Sequence, residues 1–211
     1  MNNHTINNTG FRAGYIAVMG RPNVGKSTLV NALLGQKVAA VSPRPQTTRR
    51  RQLGILTTPQ AQIIFVDTPG VHQPHHKLGE AMNLEARSAL EHCDGVLFIV
   101  DASEPPTADD RRLAALLTTL PRLPQVQLLL NKVDRVPQEA RLNFEQAYHE
   151  LLPVAPALWV SALYGESLDE LLATLTAHLP LGEPFYPAEQ VTDLYEREIA
   201  ADLIREACLN I

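Results

Sequence analysis

The eight residues GRPNVGKS (20–27) constrain this chain more than any other feature. They fit the pattern G-x-x-x-x-G-K-S. They follow an apolar run, YIAVM (15–19), and open a helix-like stretch, STLVNALLG (27–35). A strand that enters a glycine-bracketed turn and leaves as a helix is the context in which this pattern cradles phosphate. Gly20 and Gly25 let the backbone curl so that amide N–H groups point inward, and the helix N-terminus adds partial positive charge. In that arrangement Lys26 reaches the β- and γ-phosphates of a nucleotide, and Ser27 ligates Mg²⁺ through its hydroxyl.

The strand–helix alternation continues. QLGILT (52–57) and QIIFVD (62–67) are separated by a turn at Thr58, Pro59 and Gln60, short enough to force an antiparallel hairpin. GVLFIVDA (95–102), QVQLLLNK (125–132) and ALWVSA (157–162) read as further strands, apolar enough to be covered on both faces. Helices are expected at 27–35, with Leu29, Ala32 and Leu33 on one face and Gly35 as the stop, and at 78–93, 109–120, 139–152 and 167–179. The pattern predicts an α/β domain: a mostly parallel sheet with one antiparallel edge strand and helices on both faces.

Length supports one such domain plus an extension, since 211 residues leave little room for two. The first dozen residues read as a mobile polar tail. LPLGEPFYPAEQ (179–190), with three prolines and a glycine, reads as an extended connector. Residues 192–211 look helical, with Thr192 as a candidate cap. A net charge of -5 argues against a strongly basic nucleic-acid coat protein. Cys93 and Cys208 cannot form a secreted disulfide framework. No apolar run reaches the ~18 residues of a membrane span, and MNNHTINNTG lacks a signal-peptide core.

Three further motifs end predicted strands. DTPG (67–70) places Asp67 to hold Mg²⁺ through a water and Gly70 to offer its N–H to a γ-phosphate. NKVD (131–134) places Asp134 to accept from the ring N–H and exocyclic amine of guanine, a donor pair adenine lacks. Asn131 fastens adjacent loops and contacts the base, and the Lys132 stem covers a ring face. In SAL (161–163), the Ala162 N–H is aimed at guanine O6, with Ser161 bracing the loop. Thr47 or Thr48, in the loop SPRPQTTRRR, could complete the Mg²⁺ shell only with the γ-phosphate present, which makes that loop a switch. Val71 follows DTPG, so no glutamine stands there to orient water. His72, His75 and His76 read as part of a solvated second switch, Arg49 to Arg51 as a basic run that either is solvated or touches RNA phosphates, and Cys93 as a structural thiol.

Together GRPNVGKSTLVNALLGQKVA, SPRPQTTRRR, DTPG, NKVD, SAL and LPLGEPFYPAEQVTDLYEREIAADLIREA closely resemble the Era family of GTPases, over about residues 14–207. The resemblance implies a P-loop GTPase (Ras-like) fold with six strands, and hydrolysis of GTP to GDP with Mg²⁺. It implies a monomer acting in small ribosomal subunit assembly and rRNA processing. Such proteins bind the 3′ end of the small-subunit rRNA through a C-terminal KH domain, in the cytoplasm or peripherally at the membrane's cytoplasmic face. Carried over residue by residue, Gly20, Arg21, Pro22, Asn23, Val24, Gly25, Lys26, Ser27 and Thr28 form the phosphate loop. Ser27, Thr48 and Asp67 are the Mg²⁺ set, and Lys26, Thr48 and Gly70 the catalytic set. Asn131, Lys132, Asp134, Ser161, Ala162 and Leu163 define guanine. Asn23 stands where related enzymes help hold K⁺. Two departures are Leu163, where lysine is frequent, and YPAE, where the family reads YP-x-D. No GXXG follows residue 190, so the expected division is a tail at 1–13, a G domain at 14–180, and at 181–211 a connector with the start of a truncated KH-type domain. Two other readings fit the motifs: a nucleotide-gated binding module with incidental hydrolysis, and a sister GTPase of the Der or MnmE type.

Overall fold

The computed structural model describes residues 10–38, 52–67, 90–122, 124–153, 155–193 and 204. Within these, strand β1 (Arg12–Met19) leads to helix α1 (Lys26–Leu34). The hairpin β2 (Gln52–Thr57) and β3 (Ala61–Asp67) follows. Next come β4 (Gly95–Asp101), α2 (Ala108–Thr118), β5 (Gln125–Asn131), α3 (Gln138–His149), β6 (Ala157–Val160) and α4 (Leu168–His178). The sheet order is β2-β3-β1-β4-β5-β6. Among the described strand pairs only β2–β3 is antiparallel, as the three-residue joint requires.

The nearly all-apolar strands are buried because both faces are covered. β4 shows this most simply, with every residue buried. Its side chains alternate: Val96, Phe98 and Val100 pack with Leu113 and Leu117 of α2 and Tyr148 of α3. Leu97 and Ile99 pack with Leu29, Val30 and Leu33 of α1 and Leu171 and Leu175 of α4. The period of two sends successive side chains to opposite helical layers. In α1 the buried face is Leu29, Val30 and Leu33, while Ala32 is exposed, so the expected face is rotated by part of a turn. Gly35 ends α1 in a left-handed conformation (φ 66°), as its position after the last apolar residue predicts.

β1 begins three residues before its apolar run. Arg12 N–H donates to Gln60 O, and Ala13 N–H donates to Pro180 O. Gly14 is needed here: a Cβ would lie 2.5 Å from Asp94 Oδ2, which accepts from Tyr15 N–H at 2.8 Å. Of the expected helix 78–93 only its last residues are described, with Leu90 buried. The loop 39–51 and most of the expected C-terminal helix lie outside the described residues, as do Thr47, Thr48, Gly70, Val71, the three clustered histidines, the arginine run and Cys208. Cys93 is half-buried. No helix among the described residues is long and apolar enough to cross a membrane.

The connector is extended, and it is fastened to the sheet. Ile55 N–H donates to Val191 O at 2.8 Å, Thr192 bridges Gly54, and Leu53 N–H donates to Asp193 Oδ1 at 3.0 Å. This satisfies β2, the edge strand, along its open side. Nearby, the fully buried Gln62 uses its whole amide. Oε1 accepts from Phe185 N–H (2.7 Å) and Tyr186 N–H (3.0 Å), and Nε2 donates to Tyr186 O (2.9 Å) and Thr57 Oγ1 (3.0 Å). Tyr186 packs on Leu53, Ile55, Ile64 and Val66, and Phe185 lies 5.1 Å from the Tyr15 ring. Gln62→Leu strands those amides without a partner. It should lower unfolding stability by about 2 kcal/mol and speed proteolytic cleavage within 181–190; unchanged urea midpoints and cleavage rates would show that the connector is held otherwise.

Candidate nucleotide site

The motif residues collect at the carboxyl edge of the parallel strands. Gly20 leaves β1 against β4, where a Cβ would stand 2.3 Å from Ile99 O. Gly25 has φ +105°, and a Cβ there would meet Asn131 Nδ2 at 2.3 Å. Both glycines are therefore required by close approach, and Gly25 also by its backbone angle. Asn23 is left-handed as well (φ 64°). α1 starts at Lys26, with Ser27 and Thr28 in its first turn. Gly25 offers no side-chain cap and the first turn holds no acid, so no carboxylate there neutralises the positive helix end. Lys26 Nζ donates to Gly20 O (2.8 Å) and Arg21 O (2.9 Å), folding the ammonium back over the loop. Asp67 closes β3 paired with Val18, which puts its backbone beside the strand that feeds Gly20.

The base loops join the same edge. β5 ends at Asn131, whose side chain is nearly enclosed (2% exposed). Nδ2 donates to Val24 O at 2.7 Å, and Oδ1 accepts from Ala162 N–H at 3.0 Å. One amide thus ties the phosphate loop to the loop after β6. Lys132, left-handed at φ 67°, donates through Nζ to Asn23 O (2.8 Å) and Asp101 Oδ2 (2.5 Å), so its stem is held at both ends. Asp134 sits in a short 3₁₀ turn (Val133–Arg135), and its Oδ1 accepts from Ser161 Oγ at 2.6 Å. The loop 161–166 closes on itself through Gly165 N–H and Glu166 N–H to Ser161 O, presenting Leu163 and Tyr164 to solvent. Two donors expected to face ligand are used internally here: the Ala162 N–H by Asn131, and the Lys26 ammonium by loop carbonyls. A recess of about 380 Å³ beside Asp94, Arg122, Gln125 and His178 opens at the opposite edge and contains none of the motif residues.

Residues 15–132 match the family model described as 50S ribosome-binding GTPase. The chain belongs to that family. It is 47% identical over 201 residues to a GTPase Era of Nostoc sp., covering 94% of this chain and 61% of that relative. It is similar to a crystal structure of Era in complex with MgGDPNP and nucleotides 1506–1542 of 16S ribosomal RNA, with TM-score 0.85 and 41% identity over 93% of this chain and 66% of that one. It is also similar to a crystal structure of an Aquifex aeolicus Era variant bound to GDP·AlF4⁻, with TM-score 0.84, 40% identity and the same coverage. The chain spans a little under two thirds of the length of these relatives.

This family member carries site residues that motif reading missed. Asp101 closes β4, Glu104 lies in the segment that joins β4 to α2, and Asp110 stands in the first turn of α2. The available signal was a run of acids after a buried strand, on the edge that carries the motifs. Burial pushes the Asp101 carboxyl up, but hydrogen bonds from Lys132 and Ser103 outweigh this and hold it below its ordinary 3.8. Burial likewise opposes the Arg21 charge, and Asp110 and Glu104 more than restore it, so its pKa is raised. A depressed carboxyl pKa contributes stability that is complete above 3.8 and is lost as pH falls through the lower folded value. Asp101→Asn should cost about 2 kcal/mol at pH 7. The gap from the parent chain should persist at pH 5 and close below pH 3.8; chemical unfolding across that range checks the sign.

Proposed function

We propose that this chain binds GTP with Mg²⁺, hydrolyses it to GDP and phosphate, and acts as a switch in small ribosomal subunit assembly and rRNA processing. The observation that carries the reading is the Asn131 clamp, which holds a phosphate-type loop and a guanine-type loop in one fixed relation. Support for the ribosomal role comes from the similar Era, whose crystal structure contains 16S ribosomal RNA.

The residues fit the ligand. Gly20 and Gly25 leave space that a Cβ would fill, and the uncapped start of α1 supplies amides for phosphate oxygens. The Asp134 carboxylate recognises the N1–H and 2-amino group of guanine, steadied by Ser161, and the Ala162 N–H is shared between Asn131 Oδ1 and O6, so the clamp stays closed. Lys132 and the Leu163 side chain cover the ring. Ser27, Asp67 and Thr48 are the residues to hold Mg²⁺, directly or through water. Bound there, Mg²⁺ offsets charge on the β- and γ-phosphates.

Lys26 leaves the loop carbonyls for the phosphate oxygens and stabilises charge as the bond from the γ-phosphorus to the bridging oxygen breaks. A water oxygen forms the new bond, and its protons pass to phosphate and solvent. Thr48 and Gly70 place the γ-phosphate and the water, and Asn23 helps hold K⁺ beside the loop. Residues 14–180 form the G domain in this reading, and 181–211 the connector and start of a KH-type RNA-binding domain. The family resemblance supports the cytoplasmic and peripheral-membrane setting.

Phosphate release from GTP should be slow in the isolated chain and faster in K⁺ than in Na⁺; equal rates would remove Asn23 from the mechanism. Lys26→Ala should lower the rate by about 100-fold or more, and undiminished turnover would sink the reading. Asp134→Asn exchanges a double acceptor for a donor and acceptor. It should weaken GTP binding by about 100-fold and shift preference toward the xanthine nucleotide, whose C2 carbonyl accepts where guanine donates.

A further inference from the structure

The segment DASEPPTADD (101–110) lies outside every motif, yet it grips the phosphate loop at two points. The first grip is on Arg21. Its guanidinium pairs through Nη2 with Glu104, and its Nε lies 3.3 Å from Asp110 Oδ2. The second is on Asn23, whose carbonyl accepts from Lys132 while Lys132 pairs with Asp101. Tyr148, fully buried, pins the gripping segment from below. Its hydroxyl lies 3.0 Å from Asp101 O and 3.1 Å from Glu104 O, sharing one proton between them.

Asp110 is the informative residue. Its side chain is 0% exposed. Oδ2 caps α2 by accepting from Thr107 N–H (2.9 Å) and Thr107 Oγ (2.7 Å), but Oδ1 has no hydrogen-bond partner among the described residues. A capping box works with a solvated acid at this position and does not require a buried one. Enclosing a carboxylate requires a cation close by, and the cation in contact is Arg21 of the phosphate loop. The backbone of Arg21 faces the other way, with its carbonyl accepting from Lys26 Nζ. Holding Arg21 from outside therefore sets where Lys26 rests inside.

We propose that Glu104 and Asp110 are positioning residues of the phosphate loop, acting through Arg21. The proposal rests on the GTP reading above and adds to it a set of acids that touch no ligand. They restrain Gly20 to Pro22 from behind, so the loop is already shaped when the diphosphate arrives.

The test is displacement of a fluorescent GDP analogue from the full chain by GDP, GMP and IDP. Glu104 is half exposed, so Glu104→Gln leaves the core intact, and Asp110→Asn keeps the α2 cap. In both variants the ratio of GDP to GMP affinity should fall about tenfold, because the β-phosphate contribution depends on the loop. The ratio of GDP to IDP should not change, because the base loops are untouched. Arg21→Gln should show the same loss, and adding Glu104→Gln to it should cost nothing more. Equal losses for GDP and GMP, no loss in Glu104→Gln, or additive losses with Arg21→Gln would overturn the proposal. Failure of the parent chain to bind the GDP analogue would instead overturn the GTP reading on which it stands.

Discussion

The side-chain amide of Asn131 is the contact on which the site depends. It joins the ends of β1, β5 and β6 by donating to Val24 O and accepting from Ala162 N–H, across sequence separations of 107 and 31 residues. At 2% exposure, water does not compete for either bond, and losing one would leave a buried polar group unpaired. The same side chain dictates its neighbour. Gly25 can have no Cβ because Asn131 Nδ2 occupies that space. A motif glycine and a motif asparagine more than a hundred residues apart are thus two halves of one steric fit.

Electrostatics are arranged around that fit. The chain is acidic as a whole, at -5, yet cations cluster at this edge. Arg21 is matched by Glu104, after β4, and Lys132 by Asp101 at its end, while Lys26 rests on the carbonyl oxygens of Gly20 and Arg21. Exchanging neutral carbonyls for phosphate oxygens is favourable for an ammonium, whereas breaking a partly buried ion pair is not. The difference separates a residue able to follow a ligand from residues that keep the loop in shape.

Much of the fold was legible because the signals are local. All six strands were evident as short strand-like runs, and the three-residue turn at 58–60 compelled the antiparallel hairpin. Helix faces were less so. In α1, Ala32 and Val30 flank Leu29 and Leu33 on opposite sides of the apolar face, and packing against Leu97 and Ile99 selects Val30. The start of β1 was hidden because Arg12 and Ala13 join the strand through backbone bonds to Gln60 and Pro180, which carry no side-chain signature. The hold on the connector was hidden for a similar reason. Gln62 looks like one polar residue in a strand, and only its burial beside Phe185 and Tyr186 makes its four hydrogen bonds necessary.

By itself the sequence determined the order of elements, the motif set and the ligand chemistry those motifs address, because short-range patterns of glycine, lysine, acid and apolar residue encode them. Only the tertiary structure decided which groups brace the site. A buried carboxylate such as Asp110 differs from a surface one solely by what encloses it, and here the enclosing cation comes from a loop 89 positions earlier in the chain. Desolvation is a property of the packed state. It turns an unremarkable acid into a group that must be paired, and so into a restraint on the phosphate loop.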